Sequence, residues 1–362
     1  MKIVAAKYYQ AQIPFKNPIV TSYARLEQKN FDILVLTDEL GNQGYGELSA
    51  LSHPDYLSEF LVQERYVLQK YLLNQVLEKQ DFNFDWVQGH FFAKATLDQC
   101  LWDLRAKRQK VALNCLFTKQ RDKLELGVSL GMFANKEELL KHVYEFYQQG
   151  YRRFKFKLSP QYPKQWLLAV REKFSDVVLL ADANGSFSSQ QDKLLNYDDI
   201  GLSLIEQPFT RTDFLSHAKF QAKMQTPICL DESILTLDDL KVAQALGSCR
   251  AVNLKIGRVG GITQALRLNA YCQENNLLTW VGGMYETGVG RAFNWHFSTQ
   301  TTPGLPGDLT PPQSYLKDDI IQENFDIING QLKLPCAIGC GVSLDLAKLN
   351  YYSYKINEKV TS

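Results

Sequence analysis

The segment RRFKFKLSP, residues 152–160, places Lys155 and Lys157 on either side of one phenylalanine in a run that otherwise has the character of a buried strand. Side chains alternate between the two faces of a strand, so we expect both lysines on the same face. An edge strand with solvated lysines would explain the pair without any function. Otherwise the chain places two ammonium groups side by side where apolar side chains are normally buried.

This segment belongs to a repeating pattern that begins near residue 125. β-like runs alternate with segments of helical periodicity, which favours an α/β fold with a modified (β/α) barrel of the TIM type. The eight β-like runs are LELGVSLGM, YRRFKFKLS, VVLLADANG, LSLIEQPF, TPICLDES, RAVNLKIG, LLTWVGGMYETG and the less clear TTPGLPGD. The pattern predicts a barrel domain over residues 121–310.

The flanking regions have different periods. Residues 1–50 alternate apolar and polar side chains around the turn signal DELGNQG, which predicts an antiparallel meander. Residues 54–120 have helical spacing. We therefore expect an N-terminal α+β capping domain over residues 1–120, completed by a C-terminal segment, residues 311–362, that packs back onto it. No low-complexity linker separates the parts, so we expect them to pack tightly.

Composition excludes several classes of protein. The chain has 362 residues and a net charge of +1, without a Lys/Arg cluster, which argues against nucleic acid or an anionic membrane as partner. No apolar run reaches the roughly 18 residues of a membrane span. The first residues lack the features of a signal peptide, and the seven cysteines form no zinc-like pattern. We expect a cytoplasmic protein with reduced thiols, acting on a small molecule, as a monomer or a homo-oligomer.

One charged residue stands near the C-terminal end of each of five consecutive β-like runs, at intervals of 25, 24, 25 and 24 residues. These residues are Lys157, Asp182, Glu206, Asp231 and Lys255. Each interval is one β/α unit, and active sites of such barrels lie where the strands end. A single strand-end Asp is usually a helix cap or a loop residue, but five charges at unit spacing predict convergence at one mouth.

The order of these charges suggests a reaction. The three carboxylates in the middle offer hard oxygen ligands of the kind that Mg²⁺ prefers, and without a cation they would repel one another. A lysine acts as a base only when it is neutral, and Lys155 together with the metal would lower the pKa of Lys157. Lys157 could then remove a proton α to a carboxylate while the metal stabilises the enediolate.

At these residues the chain resembles the enolase superfamily, in its muconate-lactonizing subgroup. KFK, DANG, EQP, DES and NLK stand in the expected order, and LWDLRAK is similar to the helix that closes the capping domain of that family. GGMYETGVGRAFNWHFS followed by PGLPGD is similar to the branch that contains o-succinylbenzoate synthases and N-succinylamino acid racemases. The resemblance covers nearly the whole chain.

The resemblance implies a role for each matching residue. Asp182, Glu206 and Asp231 would bind Mg²⁺, or Mn²⁺ in its place, Lys157 would be the acid/base, and Lys255 the cation on the opposite face. Lys155 would be the electrostatic neighbour of Lys157, and Glu232 would orient a ligand or Lys255. The substrate, a small carboxylate, would contact Ser129, Asn184, Gly283, Met284 and Tyr285.

Other features implied by the resemblance concern specificity. Loops of the cap, around residues 17–27 and 50–57 and including SHPDY, would cover the barrel mouth, although SHPDY is equally compatible with an ordinary turn. Tyr285 stands where relatives have an aliphatic residue. Arg258 is shared with relatives competent in racemisation, but a loop charge is the simpler interpretation.

Three functions remain open. The first is a lyase that dehydrates 2-succinyl-6-hydroxy-2,4-cyclohexadiene-1-carboxylate in menaquinone biosynthesis, with Lys157 moving both protons. The second is racemisation of an N-succinylamino acid or epimerisation of a dipeptide, with Lys157 and Lys255 acting on opposite faces. The third is a binding or scaffold protein without turnover, against which the complete set of lysines and carboxylates argues. No Gly-rich anion loop supports a phosphate-binding barrel.

Overall fold

The computed structural model describes residues 1–20, 25–119 and 121–360. These residues contain a four-stranded antiparallel sheet, a seven-stranded parallel sheet and a small three-stranded sheet. The structure therefore confirms the predicted combination of a barrel with an α+β cap. No helix within the described ranges is long and apolar enough to cross a membrane.

The antiparallel sheet forms the cap and has the strand order β14-β1-β2-β3. Its strands are β1 (Ile3–Val20), β2 (Arg25–Asp38), β3 (Gln43–Leu48) and β14 (Ser353–Val360). The predicted turn connects β2 and β3, where the Asp38 carboxylate accepts hydrogen bonds from the backbone N–H groups of Leu40 and Asn42, each at 2.9 Å. Pairing of β14 with β1 shows that the C-terminal segment completes the cap, as expected.

Helices cover one face of the cap sheet. They are α1 (Leu61–Val67), which continues as π-helical turns over Leu68–Leu72 and Gln75–Lys79, and α2 (Phe91–Gln109). A Cβ at Gly44 or Gly46 would collide with the backbone carbonyl of Cys100 or Thr96 in α2. These two glycines therefore let α2 lie directly against β3, and apolar side chains of α1, α2 and the sheet fill the core between them.

The parallel sheet curls into the barrel, with its strands adjacent in chain order. The strands are β5 (Val128–Leu130), β6 (Arg153–Lys157), β7 (Val178–Asp182), β8 (Leu204–Glu206), β9 (Ile228–Leu230), β10 (Ala251–Leu254) and β11 (Leu278–Val281). The surrounding helices are α3 (Lys136–Gln148), α4 (Lys164–Lys173), α5 (Phe214–Gln221), α6 (Leu237–Leu246), α7 (Ile262–Glu274) and α8 (Gly288–Ser298). A 3₁₀ segment, Gln191–Tyr197, stands between β7 and β8 in place of an α-helix.

The eighth predicted β run, TTPGLPGD, closes the barrel without forming a regular strand. Thr302 and Asp308 donate backbone hydrogen bonds to Thr279 and Val281 of β11, at 3.1 and 3.0 Å. On its other side, Gly307 accepts one from Gly127 at 2.9 Å. The two prolines of this closing segment, residues 301–308, have no N–H to donate, which explains why it bonds only at isolated positions.

The remaining elements connect the barrel to the cap. They are the 3₁₀ turns Leu113–Leu116 and Pro312–Ser314, the small sheet of β4 (Lys123–Glu125), β12 (Ile327–Ile328) and β13 (Gln331–Lys333), and α9 (Leu346–Tyr352). At the cap–barrel boundary, the Glu47 carboxylate of β3 accepts hydrogen bonds from Thr287 Oγ1 at 2.6 Å and Gly290 N at 2.9 Å, at the N-terminus of α8. A carboxylate is favourable there because the helix dipole is positive at that end.

Candidate active site

The five charged residues that were singled out in the sequence lie at the C-terminal ends of five neighbouring barrel strands. Lys157, Asp182 and Glu206 are the last residues of β6, β7 and β8, while Asp231 and Lys255 directly follow β9 and β10. Lys157 and Asp182 are partners in the sheet register, as are Asp182 and Glu206. The barrel thus brings together side chains that are spread over about 100 residues of sequence.

The three carboxylates are buried, with Asp182 5% exposed, Glu206 fully buried and Asp231 2% exposed. Each one contacts a lysine ammonium: Asp182 that of Lys157 at 2.9 Å, Glu206 that of Lys155 at 3.0 Å, and Asp231 that of Lys255 at 2.8 Å. The lysines therefore provide the counter-charge that burial of three carboxylates requires.

The same carboxylates are the candidates for a metal site. No group of three or more His, Cys, Asp or Glu side chains in the described ranges is arranged to hold a metal ion, and each of these carboxylates contacts an ammonium group. Their chemistry nevertheless fits Mg²⁺, since all three offer hard oxygen atoms from adjacent strand ends. A bound cation would take over contacts that the lysines now make.

Lys157 is the more accessible lysine of the site, with a side chain that is 32% exposed. Its ammonium donates to Asp182 at 2.9 Å and to the side-chain oxygen of Asn184 at 2.6 Å. Asn184 lies in the left-handed region, at φ 42°, and its amide also donates to the Glu232 carboxylate at 3.2 Å. Burial raises the pKa of Glu232. Asn184 therefore links Lys157 to Glu232, whereas the resemblance implied a substrate contact for Asn184 and a ligand or Lys255 as the partner of Glu232.

Lys155 lies deeper than Lys157 and is surrounded by carboxylates. Its ammonium is 2.6 Å from Asp308, 3.0 Å from Glu206 and 3.7 Å from Asp182. Although burial lowers the pKa of Lys155, the charges of Asp308, Glu206 and Asp182 outweigh it and raise the pKa above its ordinary value. The positive charge of Lys155 is therefore directed at three carboxylates, a surrounding that the sequence interpretation did not anticipate.

Asp308 was missed by the sequence analysis. It ends the closing segment, so it is the charged residue at the end of the eighth β/α unit. The aspartate at the end of PGLPGD is the residue in question. This run is the least strand-like of the eight, so the sequence alone does not show that its last residue lies level with the other strand ends.

Lys255 is held on the opposite side of the carboxylates, with only 11% of its side chain exposed. Its ammonium donates to Asp231 at 2.8 Å and to the hydroxyl of Tyr56 at 3.0 Å, and it lies 4.4 Å from the centre of the Tyr56 ring. The Tyr56 hydroxyl in turn donates to Asp231 at 3.0 Å. Burial alone would lower the pKa of Lys255, but Tyr56, Glu206 and Glu232 raise it.

Arg258 is part of this group and is not an exposed loop charge. Its guanidinium is fully buried, forms an ion pair with Asp231 and donates to the Tyr56 hydroxyl at 3.1 Å. A further hydrogen bond reaches the backbone oxygen of Ile234 at 3.1 Å. Arg258 does lie in the turn after β10, as the simpler interpretation has it, but the fold encloses that turn beneath the cap.

The expected cap loops are only partly seen. SHPDY does reach the mouth, because Tyr56 is its last residue and contacts Asp231 and Lys255. In the other predicted loop, residues 17–20 and 25–27 belong to β1 and β2, and residues 21–24 lie outside the described residues.

The remaining pocket residues have different surroundings. Ser129 of β5 is the register partner of Lys155, and a Cβ at Gly283 would lie 2.6 Å from the Arg291 guanidinium. Met284 is packed in the apolar core of the cap, and its backbone oxygen accepts a hydrogen bond from the Lys29 ammonium at 2.9 Å.

Tyr285 has a left-handed backbone, at φ 58°, and its ring packs edge-on against Phe15 at 5.8 Å and Tyr315 at 6.1 Å. Burial raises its pKa, while the charges of Lys157, Lys155 and Lys255 lower it. The bulky ring is therefore held between the cap and the C-terminal segment, within the field of all three lysines.

Known proteins with similar sequences and structures share the fold of this chain. The model of the enolase C-terminal domain-like family matches residues 138–348, and that of the mandelate racemase/muconate lactonizing enzyme N-terminal domain matches residues 3–117. An o-succinylbenzoate synthase from Enterococcus faecalis is 45% identical over 98% of both chains. An N-succinylamino acid racemase from Thermus thermophilus is 35% identical over 96% of both chains. The crystal structure of an enolase superfamily member from Listeria innocua, 37% identical, superposes with a TM-score of 0.96 over 100% of both chains.

Proposed function

This chain belongs to the enolase superfamily, and we propose that it catalyses the o-succinylbenzoate synthase reaction, a step of menaquinone biosynthesis. In this reaction 2-succinyl-6-hydroxy-2,4-cyclohexadiene-1-carboxylate loses water and becomes 2-succinylbenzoate. Relatives that carry this enzyme name are 33–45% identical and cover nearly the whole chain. The enzyme is accordingly a lyase acting on a small carboxylate.

The unequal settings of the two lysines support dehydration most strongly. A syn dehydration needs one group that takes a proton from carbon and returns a proton to the departing hydroxyl on the same face. Lys157, with 32% of its side chain exposed, has room for such movement. Lys255 is enclosed by Asp231 and Tyr56, which suits a fixed positive charge over the ring better than proton exchange.

Each residue of the site then has a distinct task. Neutral Lys157 removes the proton α to the substrate carboxylate and, once protonated, delivers a proton to the leaving hydroxyl. Lys155 and Lys255 provide positive charge where the anion develops, in a site whose burial strengthens electrostatic interactions. Aromaticity of the product ring drives the step.

Asp182, Glu206 and Asp231 are the residues that would hold Mg²⁺, since they supply the oxygen ligands that this ion prefers. When bound, the ion would stabilise the negative charge that collects on the substrate carboxylate. Asn184 and Glu232 would orient Lys157 and its carboxylate partner through the hydrogen bonds described above. Ser129, Gly283 and Tyr285 would shape the pocket for the succinyl group and the ring.

Racemisation of N-succinylamino acids is the second candidate, because relatives with that name are 34–35% identical over nearly the whole chain. It requires Lys255 to exchange protons with the substrate from the face opposite Lys157. We propose it as a lesser activity, since Lys255 is held by a hydroxyl and a carboxylate.

The test is to assay the purified protein with both substrate types in the presence of Mg²⁺, and to follow α-proton exchange in D₂O. We expect efficient dehydration that disappears on chelation, with slower exchange on N-succinylamino acids. Rapid exchange without any dehydration would reject the first function and support the second. We place the enzyme in the cytoplasm, where its cysteines, all free in the structure, would stay reduced.

A further inference from the structure

Asp308 joins the closing segment to β6 through two buried cations. One carboxylate oxygen is 2.6 Å from the ammonium of Lys155, and the other pairs with the guanidinium of Arg153. Arg153 is fully buried and Lys155 is 7% exposed. Within the described ranges, Asp308 is the only carboxylate that forms an ion pair with Arg153.

The position of Asp308 does not depend on Lys155. Its backbone N–H donates to Val281 of β11 at 3.0 Å, and its backbone oxygen accepts from Arg291 at 2.8 Å. The ring of Trp280 lies beneath both cations, at 4.7 Å from Arg153 and 4.8 Å from Lys155. Asp308 is thus an anion fixed by the barrel backbone, with Lys155 held between it and an aromatic face.

Lys155 has two other neighbours that are proposed to bind a metal, Glu206 at 3.0 Å and Asp182 at 3.7 Å. An ammonium and a divalent cation compete for the same carboxylate oxygens, so an ammonium bound to Glu206 opposes metal binding. Asp308 offers the shortest contact of the three, at 2.6 Å, and it is not among the proposed metal ligands.

We infer that Asp308 is a positioning residue, which draws the ammonium of Lys155 towards the junction of β6 and the closing segment and so weakens its contacts with Glu206 and Asp182, the ligands proposed for the divalent cation. This inference rests on the metal site of the proposed function. The pKa of Asp308 supports it, because Arg153 and Lys155 outweigh burial and hold that pKa below its ordinary value. Asp308 therefore stays charged throughout the working pH range.

The experiment is Asp308→Asn, which keeps the size of the side chain and removes its charge, with Mg²⁺ and Mn²⁺ binding measured by calorimetry. Lys155, which already contacts Glu206 at 3.0 Å, should then bind Glu206 more tightly, and we expect affinity for either ion to fall by roughly 10- to 100-fold, as for other residues that orient metal ligands. The matched control is Asp319→Asn, which replaces a half-buried carboxylate of the C-terminal segment that accepts from Gly288 N at 3.0 Å. It should lower thermal stability without changing metal affinity.

A double-mutant cycle with Lys155→Met shows whether Asp308 affects metal affinity by positioning Lys155 or through its own negative charge. If Asp308 acts through Lys155, Asp308→Asn should cause little further loss of metal affinity when Lys155 is already absent. An equal loss in both backgrounds, or no loss in either, would overturn the inference. If Asp308→Asn does not fold because Arg153 lacks a counter-ion, Arg153→Met/Asp308→Asn compared with Arg153→Met gives the same test.

The inference and the proposed function fail in different ways. A wild-type protein that binds neither Mg²⁺ nor Mn²⁺ would overturn the metal site, and the inference with it. A wild type that binds metal and dehydrates its substrate, combined with an additive cycle, would overturn only the role of Asp308.

Discussion

The two sides of the barrel mouth hold their lysines by different means. On the β6 side, Lys157 contacts Asp182 and Asn184, which both belong to the barrel, and 32% of its side chain remains exposed. On the β10 side, Lys255 is 11% exposed and contacts Tyr56, which comes from the cap. The cap therefore takes part directly in fixing Lys255, whereas the hydrogen bonds of Lys157 come from the barrel.

This difference fits the two separate roles that the proposed dehydration gives to Lys157 and Lys255. A side chain that transfers protons must reach the substrate in both of its protonation states, so it needs some conformational freedom. A group that only supplies charge is most effective when it is fixed in advance, because no reorganisation is then needed during the reaction. In the proposed reaction, the contact with Tyr56 of the cap would keep Lys255 in place as such a fixed charge.

Replacement of Lys157 should cause the largest loss of activity. We expect Lys157→Ala to lower kcat by about 10²- to 10⁴-fold or more, since the proton-transfer group is removed. Lys157→Arg should fail as well, because a guanidinium does not give up its proton near neutral pH. The measurement is kcat for dehydration, with circular dichroism to verify folding. Near-normal turnover by Lys157→Arg would exclude this lysine as the base.

The second-largest effect is expected for the three carboxylates that lie between Lys157 and Lys255. Replacement of Glu206, Asp182 or Asp231 by Ala should remove one metal ligand, and we expect Mg²⁺-dependent activity to be abolished while the fold survives. For Glu206→Ala, calorimetry should show a loss of Mg²⁺ affinity beyond the roughly 100-fold that outer residues cause. Full activity of Glu206→Ala in the presence of a chelator would contradict the metal assignment.

Lys255→Arg distinguishes a fixed charge from a proton-transfer group, because it keeps the positive charge and removes the ability to exchange protons. We expect dehydration to fall by about tenfold, since the larger guanidinium fits imperfectly, and racemisation by roughly 10²-fold or more, the loss expected for an acid/base group. Both substrates are assayed with one enzyme preparation. Equal losses in the two reactions would show that Lys255 does not distinguish them.

Tyr56→Phe should have the smallest effect. It removes a hydroxyl that accepts from Lys255 and Arg258 and donates to Asp231, but it keeps the ring. We expect kcat to fall by about 3- to 10-fold, close to the value of one hydrogen bond. The control is Tyr197→Phe, whose buried hydroxyl donates to Ser159 and Tyr162 outside the site. Equal changes in kcat for both variants would indicate a loss of stability instead.

Five residues of the site could be predicted because they recur at regular intervals along the sequence. The five strand-end charges recur once per β/α unit, and a parallel barrel brings successive strand ends to one mouth whatever the connecting helices are. The order of elements and the cap were predictable for the same reason, since each element carries its own period. The irregular closing segment was only partly predictable, because its prolines hide the strand pattern.

The barrel, the cap and the series of lysines and carboxylates are readable from the sequence, because each follows from short-range periodicity. How tightly each lysine is held depends on contacts between distant parts of the chain. Tyr56 lies 175 residues from Asp231 and 199 from Lys255, and Asp308 lies 155 residues from Arg153. Such pairs meet because the cap docks on the barrel and the closing segment completes it. Burial and ion pairing depend on these long-range contacts, which no local period encodes.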